Sequence, residues 1–258
     1  MSLLEVKNLS VFFGGVKAVQ DVSFQAEEGE FLGLIGPNGA GKTTVFNAVT
    51  GVVKPTSGQI IFDGRSIGGV RPDKIAHLGI ARTFQNIRIY PKLTAKENVL
   101  IGVASIPQYD TVSALLRLPH VRKREKEANA LCEQYLDQIG LLEYKDTQAG
   151  SLPYGIQRKL EIARALATKP KLLFLDEPAA GMNTAESAEL VGFLRNIHEM
   201  TGITIILIEH HLDVVMNVCS RINVLNLGSL LFTGTPEEVQ TSPEVIKAYI
   251  GERRKSHE

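Results

Sequence analysis

The sequence predicts an α/β fold: a mixed sheet with an antiparallel β subdomain, plus an inserted α-helical subdomain. Three observations carry this. Short apolar runs at residues 30–35, 172–175 and 203–208 are of strand length and separated by helix-like segments, the pattern of a mostly parallel, buried sheet. The opening, residues 3–24, instead alternates apolar and polar residues around Gly14-Gly15, as half-buried antiparallel strands do. Between residue 86 and about residue 166 the strand pattern stops and helical patterning replaces it. The core is therefore assigned to residues 1–85 and 167–258, and the helical insert to 86–166.

Taken in order, residues 3–24 give two or three antiparallel strands. Residues 30–35 are a buried strand, and a helix begins near residue 44. Pro55-Thr56-Ser57-Gly58 is a turn, followed by a strand at 59–62 ending at Asp63-Gly64. A short helix follows Pro72 over 71–78, and residues 80–84 read as a strand. Thr94 is a good N-cap for residues 95–100, with Glu97 at the capping-box position. A long polar helix runs from Pro119 to about residue 139, and the whole insert reads as helical. Residues 172–175 are a buried strand, 184–200 a helix and 203–208 a second buried strand. A closing hairpin joins 222–227 to 229–232 around Leu227-Gly228. The tail, Arg253-Arg254-Lys255, is expected to lack structure.

The bulk composition narrows the function classes. With 258 residues and 44% hydrophobic content the chain can build a sizeable core. Lys+Arg and Asp+Glu are both 28, so nothing argues for nucleic-acid binding. Cys132 and Cys219 are far apart and lack metal spacing, which fits a reducing compartment. No basic region followed by a long apolar region opens the chain, so no signal peptide is expected. The apolar runs are strand-length, too short to cross a bilayer as helices, so a membrane role would be served through a partner.

Residues 36 to 43 read Gly36-Pro37-Asn38-Gly39-Ala40-Gly41-Lys42-Thr43, the full G-x-x-x-x-G-K-[ST] phosphate loop in strand–loop–helix context. Glycines let successive amides turn toward phosphate oxygens, and the helix adds its positive end. Lys42 can reach β- and γ-phosphates, and the Thr43 hydroxyl can ligate Mg²⁺. A second apolar run ends in Asp176-Glu177 at the edge where such folds bind nucleotide. Asp176 would hold Mg²⁺ through water, and Glu177 would polarise the attacking water. A solvated acidic turn is the other reading of that pair, and the phosphate loop upstream argues against it. Residues 205–210 end another strand in Glu209-His210. His210 is either a γ-phosphate contact or a structural strand-end histidine. His210 and His211 are adjacent and point apart, so they are not a metal pair. Gln85 ends the strand before the insert, and spacing alone assigns it no role.

These motifs resemble an ABC transporter ATPase subunit, over about residues 3–251. Gly36 to Thr44 resembles Walker A, and Lys171 to Glu177 resembles Walker B with the catalytic glutamate. Gln85 falls at the Q-loop glutamine, which the resemblance makes a Mg²⁺ and water contact. His210 falls at the switch histidine. Phe13, before Gly14, matches the aromatic residue that stacks on adenine. A buried core Phe13 is the competing reading, and Phe12 is the near alternative. Ala81-Arg82-Thr83-Phe84-Gln85-Asn86-Ile87-Arg88, Leu160-Glu161-Ile162-Ala163-Arg164-Ala165-Leu166, Glu177-Pro178-Ala179-Ala180-Gly181-Met182-Asn183 and Gly234-Thr235-Pro236-Glu237-Glu238-Val239 resemble one subfamily, the larger ATPase subunit of high-affinity branched-chain amino-acid importers. The resemblance implies ATP and Mg²⁺, and a second ATPase subunit, either a paralogue or a copy of this chain. It also implies two membrane-spanning permease subunits, an indirect link to a solute-binding protein, and a place on the cytoplasmic face of the membrane. Import of another small solute such as urea, or a non-transport ABC ATPase, are the alternatives. A DNA-repair ABC protein would carry long coiled coils between Walker A and the signature, and a translation-associated one would carry two cassettes.

Two positions depart from the family. Its signature, Leu-Ser-Gly-Gly-Gln, falls on Leu152-Pro153-Tyr154-Gly155-Ile156, followed by Gln157. Pro153 lacks the serine hydroxyl and an N–H, and Ile156 replaces an amide; only Gly155 keeps the small-residue geometry for the partner's γ-phosphate. The expectation is a dimer with two unequal sites. Asn183 stands where most of the family has aspartate. The cluster Arg122-Lys123-Arg124 reads as a solvated helix face balanced by Glu125 and Glu127, with a contact to lipid or permease as the other reading.

Overall fold

The structure is a computed structural model that describes residues 2–104 and 119–255. A hairpin opens the chain, β1 (Ser2–Phe13) and β2 (Val16–Glu27), with Gly14-Gly15 at its tip. β3 (Phe31–Ile35) leads through a loop into α1 (Lys42–Val49). β4 (Ser57–Phe62) and β5 (Arg65–Ser66) precede α2 (Pro72–His77) and β6 (Ile80–Arg82). The insert contains α3 (Ala95–Ala104), α4 (Pro119–Gln138), 3-10 turns at Leu142–Tyr144 and Ala149–Ser151, and α5 (Tyr154–Ala167). Then come β7 (Leu172–Asp176), α6 (Thr184–Thr201), β8 (Thr204–Ile208), α7 (Leu212–Val218), β9 (Arg221–Asn226) and β10 (Ser229–Gly234). α8 (Pro236–Thr241) and α9 (Pro243–Lys255) close the described chain.

Two sheets result. The first is antiparallel, in the order β2-β1-β4-β5. The second runs β10-β9-β3-β8-β7-β6, parallel throughout except for the β9–β10 hairpin. Every residue of β3, β7 and β8 is buried, because both faces of that sheet are covered. Their side chains alternate between two cores. Leu32, Leu34, Leu172, Phe174, Ile206 and Ile208 face the layer shared with α1 and the first sheet. Ile35, Leu173, Leu175, Ile205 and Leu207 face α6, α7 and the C-terminal helices. A third core, built on Val99, Cys132, Leu136, Leu160 and Ala163, holds the helical layer together. α5 supplies residues to the second and third cores, so it joins the layers.

Several expectations need correction. The insert is not helical throughout: residues 83–93 form neither helix nor strand. Side chains satisfy the backbone there. Asn98 accepts from the Tyr90 N–H at 2.8 Å and donates to the Tyr90 and Thr94 carbonyls. The expected strand at 80–84 stops at Arg82, although the Thr83 N–H still donates to the Phe174 carbonyl at 2.9 Å. β4 starts at Ser57, inside the expected turn. The 253–255 tail continues α9 instead of lacking structure. Thr94 caps α3 as expected, and its N–H donates to Glu97 at 2.8 Å. The side chain of Arg122 lies outside the described residues. Lys123 pairs with Glu127 at 4.0 Å, as a solvated face does.

Candidate nucleotide site at the strand ends

The phosphate loop is clamped from below. Gly36 sits at φ 149, and a Cβ there would lie 2.1 Å from the Leu225 carbonyl oxygen of β9. Gly41, the N-cap of α1 at φ 99, would meet the Ala18 carbonyl oxygen of β2 at 2.6 Å. Only glycine fits either place. The Gly228 N–H donates to the Ala40 carbonyl at 3.2 Å, so the β9–β10 turn braces the loop. Phe46 of α1 packs edge-on against Phe174 of β7 at 4.5 Å and sets the helix over the sheet. Lys42 is 5% exposed; its Nζ donates to the Gly36 carbonyl at 2.6 Å and the Pro37 carbonyl at 2.9 Å. Its ammonium therefore lies across the loop. Gly36, Pro37 and Ala40 are buried, Asn38, Gly39 and Thr43 are exposed, and Thr44 is half-buried. The first-turn amides at Lys42, Thr43 and Thr44 lack intrahelical partners, which makes this helix start an anion site.

Three strand ends meet beside it. β7 delivers Asp176, whose Oδ2 lies 2.6 Å from the Arg82 guanidinium, with both side chains nearly buried. Arg82 also donates to the Asn47 Oδ1 of α1 at 2.7 Å, tying β6, β7 and α1 together. Glu177 adopts φ 47, a left-handed conformation rare for a non-glycine residue, and its N–H donates to the Ile208 carbonyl at 2.9 Å. Its carboxylate is held on both sides. The Gln85 Nε2 donates to Oε2 at 2.8 Å, and the His210 Nε2 lies 2.6 Å from Oε1. Glu177, Gln85 and His210 thus converge, three residues that the family resemblance assigns to one site.

Glu209 and Arg82 were not assigned roles from the sequence. Glu209 is 1% exposed; its carboxylate accepts from the N–H groups of Ala179 at 2.7 Å, His210 at 2.8 Å and His211 at 3.1 Å. It joins the loops after β7 and β8 and so aims Glu177 and His210. Its signal was a carboxylate ending an all-apolar strand. The signal for Arg82 was a cation opposite an acidic strand end.

The signature residues open α5. Pro153 is its N-cap, where the missing N–H costs no helix bond, and its carbonyl accepts from Gln157 at 2.9 Å. Gly155 is half-buried, with open space where a Cβ would stand. Ile156 packs partly into the helical core. The Tyr154 hydroxyl donates to the Ala180 carbonyl at 3.0 Å, linking α5 to the loop after β7. Asn183 caps α6: its side chain accepts from the Glu186 N–H and its own N–H donates to the Glu186 carboxylate. Asparagine and aspartate serve equally in that role. Phe13 is 51% exposed, so the buried-core reading of it fails. It ends β1 opposite Val16, near the Ala18 that touches the phosphate loop. Lys17 lies over the ring of Phe12 at 5.8 Å.

Thr43, Asp176 and Gln85 offer only oxygen donors, which suits a hard cation such as Mg²⁺. Among the described residues, no cluster of three His, Cys, Asp or Glu stands ready for a metal. Beside the site, a groove of about 720 Å³ runs between α2 and β6 on one side and α3 and α5 on the other, lined by Ile75, Leu78, Phe84, Ile101 and Arg164.

Comparisons with known proteins show what this chain is similar to. Residues 19–180 match the family described as ABC transporter, and residues 229–255 match the one described as branched-chain amino acid ATP-binding cassette transporter. The chain is 47% identical over 253 residues to the high-affinity branched-chain amino acid transport ATP-binding protein LivG of Salmonella typhimurium, covering 97% of this chain and 98% of that one. It is 43% identical over 250 residues to BraF of Pseudomonas aeruginosa, which bears the same description, with 97% and 98% covered. Among solved structures, an ATP-binding cassette of an ABC transporter in its ADP conformation superposes with a TM-score of 0.84 at 32% identity, covering 97% and 99% of the two chains.

Proposed function

The chain belongs to the ABC transporter family, and we propose that it is the ATP-hydrolysing subunit of an importer of branched-chain amino acids. One observation carries the hydrolytic reading: Glu177 is held between Gln85 and His210 at the strand edge that follows Asp176. The solute reading is supported by the descriptions of the relatives and by the match at residues 229–255.

The phosphates of ATP would lie on Gly36 to Thr44, with adenine against Phe13. Lys42 would exchange the Gly36 and Pro37 carbonyls for β- and γ-phosphate oxygens, a charge-assisted replacement for neutral bonds. Glu177 would orient the attacking water and take its proton, with His210 and Gln85 holding the carboxylate in place. Mg²⁺, when bound through Thr43, Asp176 and Gln85, would neutralise charge on the β- and γ-phosphates.

A second ATPase subunit, a paralogue or a copy of this chain, would supply its signature to this site. Gly155 would face the partner's nucleotide in return. ATP bridging the two chains selects the closed dimer, and hydrolysis releases it. The insert, residues 86–166, would move against the core and pass the motion to two membrane-spanning subunits docked in the groove beside Gln85 at the cytoplasmic face. A solute-binding protein would deliver the amino acid. No helix among the described residues is long and apolar enough to cross a membrane.

Light-scattering mass of Glu177→Gln with and without Mg·ATP tests the motor. A nucleotide-dependent dimer supports it and shows that Pro153 and Ile156 still permit a signature contact. A monomer holding ATP points to a required paralogue. A monomer without ATP overturns the phosphate-loop assignment. Uptake of labelled leucine against urea by the assembled transporter tests the solute.

A further inference from the structure

Asp176 already has a cation. β6 pairs with β7 in parallel, with Arg82 opposite Phe174. The Arg82 Nη2 donates to the Asp176 Oδ2 at 2.6 Å, and both side chains are nearly buried. The same guanidinium has further holds on α1. Its Nη1 donates to the Asn47 Oδ1 at 2.7 Å and to the Thr50 Oγ1 at 3.3 Å. It also lies over the Phe84 ring at 5.2 Å and the Phe46 ring at 5.8 Å. Its Nε is buried with no hydrogen-bond partner among the described residues, so the two Nη atoms and the rings fix the head group. The carboxylate that the proposed function gives to Mg²⁺ is thus neutralised by the chain itself.

We propose that Arg82 is a positioning residue that holds Asp176 as a resident cation, so that the site takes a divalent metal only together with a phosphate-bearing nucleotide. A dication approaching Asp176 meets the guanidinium at contact distance, where burial leaves their repulsion poorly screened. Phosphate oxygens on Gly36 to Thr44 would add negative charge and further oxygen ligands, which favours the metal. Arg82 can release Asp176 without being orphaned, because Asn47 and Thr50 remain its acceptors. A buried ion pair is seldom more stabilising than an apolar pair of the same volume, so joining β6, β7 and α1 does not by itself call for charge here. The inference rests on reading Asp176 as a Mg²⁺ contact.

The test is Mn²⁺ binding to the full chain, read by electron paramagnetic resonance of the free ion, with and without ADP. Mn²⁺ shares the oxygen preference of Mg²⁺. The unmodified chain should bind Mn²⁺ with ADP, and at least about tenfold more weakly without it. Arg82→Gln keeps a donor toward Asp176 and removes the charge. It should tighten nucleotide-free Mn²⁺ binding by about tenfold to a hundredfold, the range for a group bonded to a metal ligand. Mn²⁺ alone should then raise the Tm of this variant and leave that of the unmodified chain unchanged. Arg82→Lys keeps the cation and should bind Mn²⁺ as the unmodified chain does. In Arg82→Gln/Asp176→Asn the gain should vanish. An unchanged nucleotide-free affinity in Arg82→Gln, or a gain that survives Asp176→Asn, overturns the proposal. So does an unmodified chain that binds Mn²⁺ equally well without ADP, a result that needs no variant. If Asp176→Asn alone leaves Mn²⁺ affinity with ADP unchanged, the reading of Asp176 fails and the role of Arg82 falls with it. Failure of the Arg82 role alone differs: Asp176→Asn weakens Mn²⁺ binding with ADP, and Arg82→Gln changes nothing without it.

Discussion

The Nε2 of His210 lies 2.6 Å from Oε1 of Glu177. Strand register brings them together. β7 pairs with β8 in parallel, with Asp176 opposite Ile208, so the residues just past each strand end share one edge. The positive φ of Glu177 turns its side chain toward that edge. Glu177→Gln should therefore cost turnover about 10²–10⁴-fold, the range for a positioned general base, while nucleotide binding survives. His210→Ala should cost less, because Gln85 still holds the other oxygen. Single-turnover hydrolysis checks both, and rates within about twofold of the unmodified protein for Glu177→Gln would exclude the assignment.

Gly36 and Gly155 should respond oppositely to alanine. At Gly36 a Cβ collides with the Leu225 carbonyl oxygen at 2.1 Å, so Gly36→Ala should destabilise by about 2–4 kcal/mol through overpacking and strain. At Gly155 there is room, and the residue lies in the first turn of α5. Gly155→Ala should leave stability unchanged or raise it by up to about 1 kcal/mol, from helix propensity. If Gly155 faces the partner's nucleotide, the same change should lower turnover of the assembled transporter. Urea unfolding and steady-state kinetics separate the two effects.

Asn183 carries the capping box of α6. Asn183→Ala should cost about 1 kcal/mol, and Asn183→Asp should cost almost nothing. A loss from aspartate as large as that from alanine, read as a shift in Tm, would show that the side chain does something other than cap.

Burial pushes the Cys132 thiol up to about 11, and it pushes Cys219 higher still. Both stay protonated at pH 8, and both are enclosed. Iodoacetamide should label neither in the folded protein and both after denaturation, as read by mass spectrometry. The folded state keeps the proton above the ordinary value of 9.0, so the Cys132 contribution is complete below pH 9.0 and is lost as pH rises toward about 11. Rapid labelling of native Cys219 would show that its core opens.

Much of the site was legible because its signals are local. The phosphate loop is contiguous, and Asp176 and Glu177 end an apolar run. Strand identity followed from burial on both faces, which reads as unbroken apolar sequence. The misses have a different origin. Residues 83–93 lack regular structure because side chains satisfy their backbone, Asn98 from 8 residues away and Arg158 of α5 from 73 and 74 residues away, contacts that no local pattern announces. α7 and α8 went unread because helices of 7 and 6 residues show barely two turns of periodicity.

The sequence by itself determined the α/β class, the order of strands and helical segments, and the placing of residues 36–43 and of Asp176 and Glu177 just past buried strands. Each of these depends on residue type and spacing within a short window. Tertiary structure alone decided that Arg82 neutralises Asp176, that Glu209 aligns the loops bearing Glu177 and His210, and that Arg158 and Glu161 bond the main chain of Phe84 and Arg88. Those contacts join segments brought close by sheet register and helix packing. A buried charge must find its partner there, wherever in the chain that partner lies.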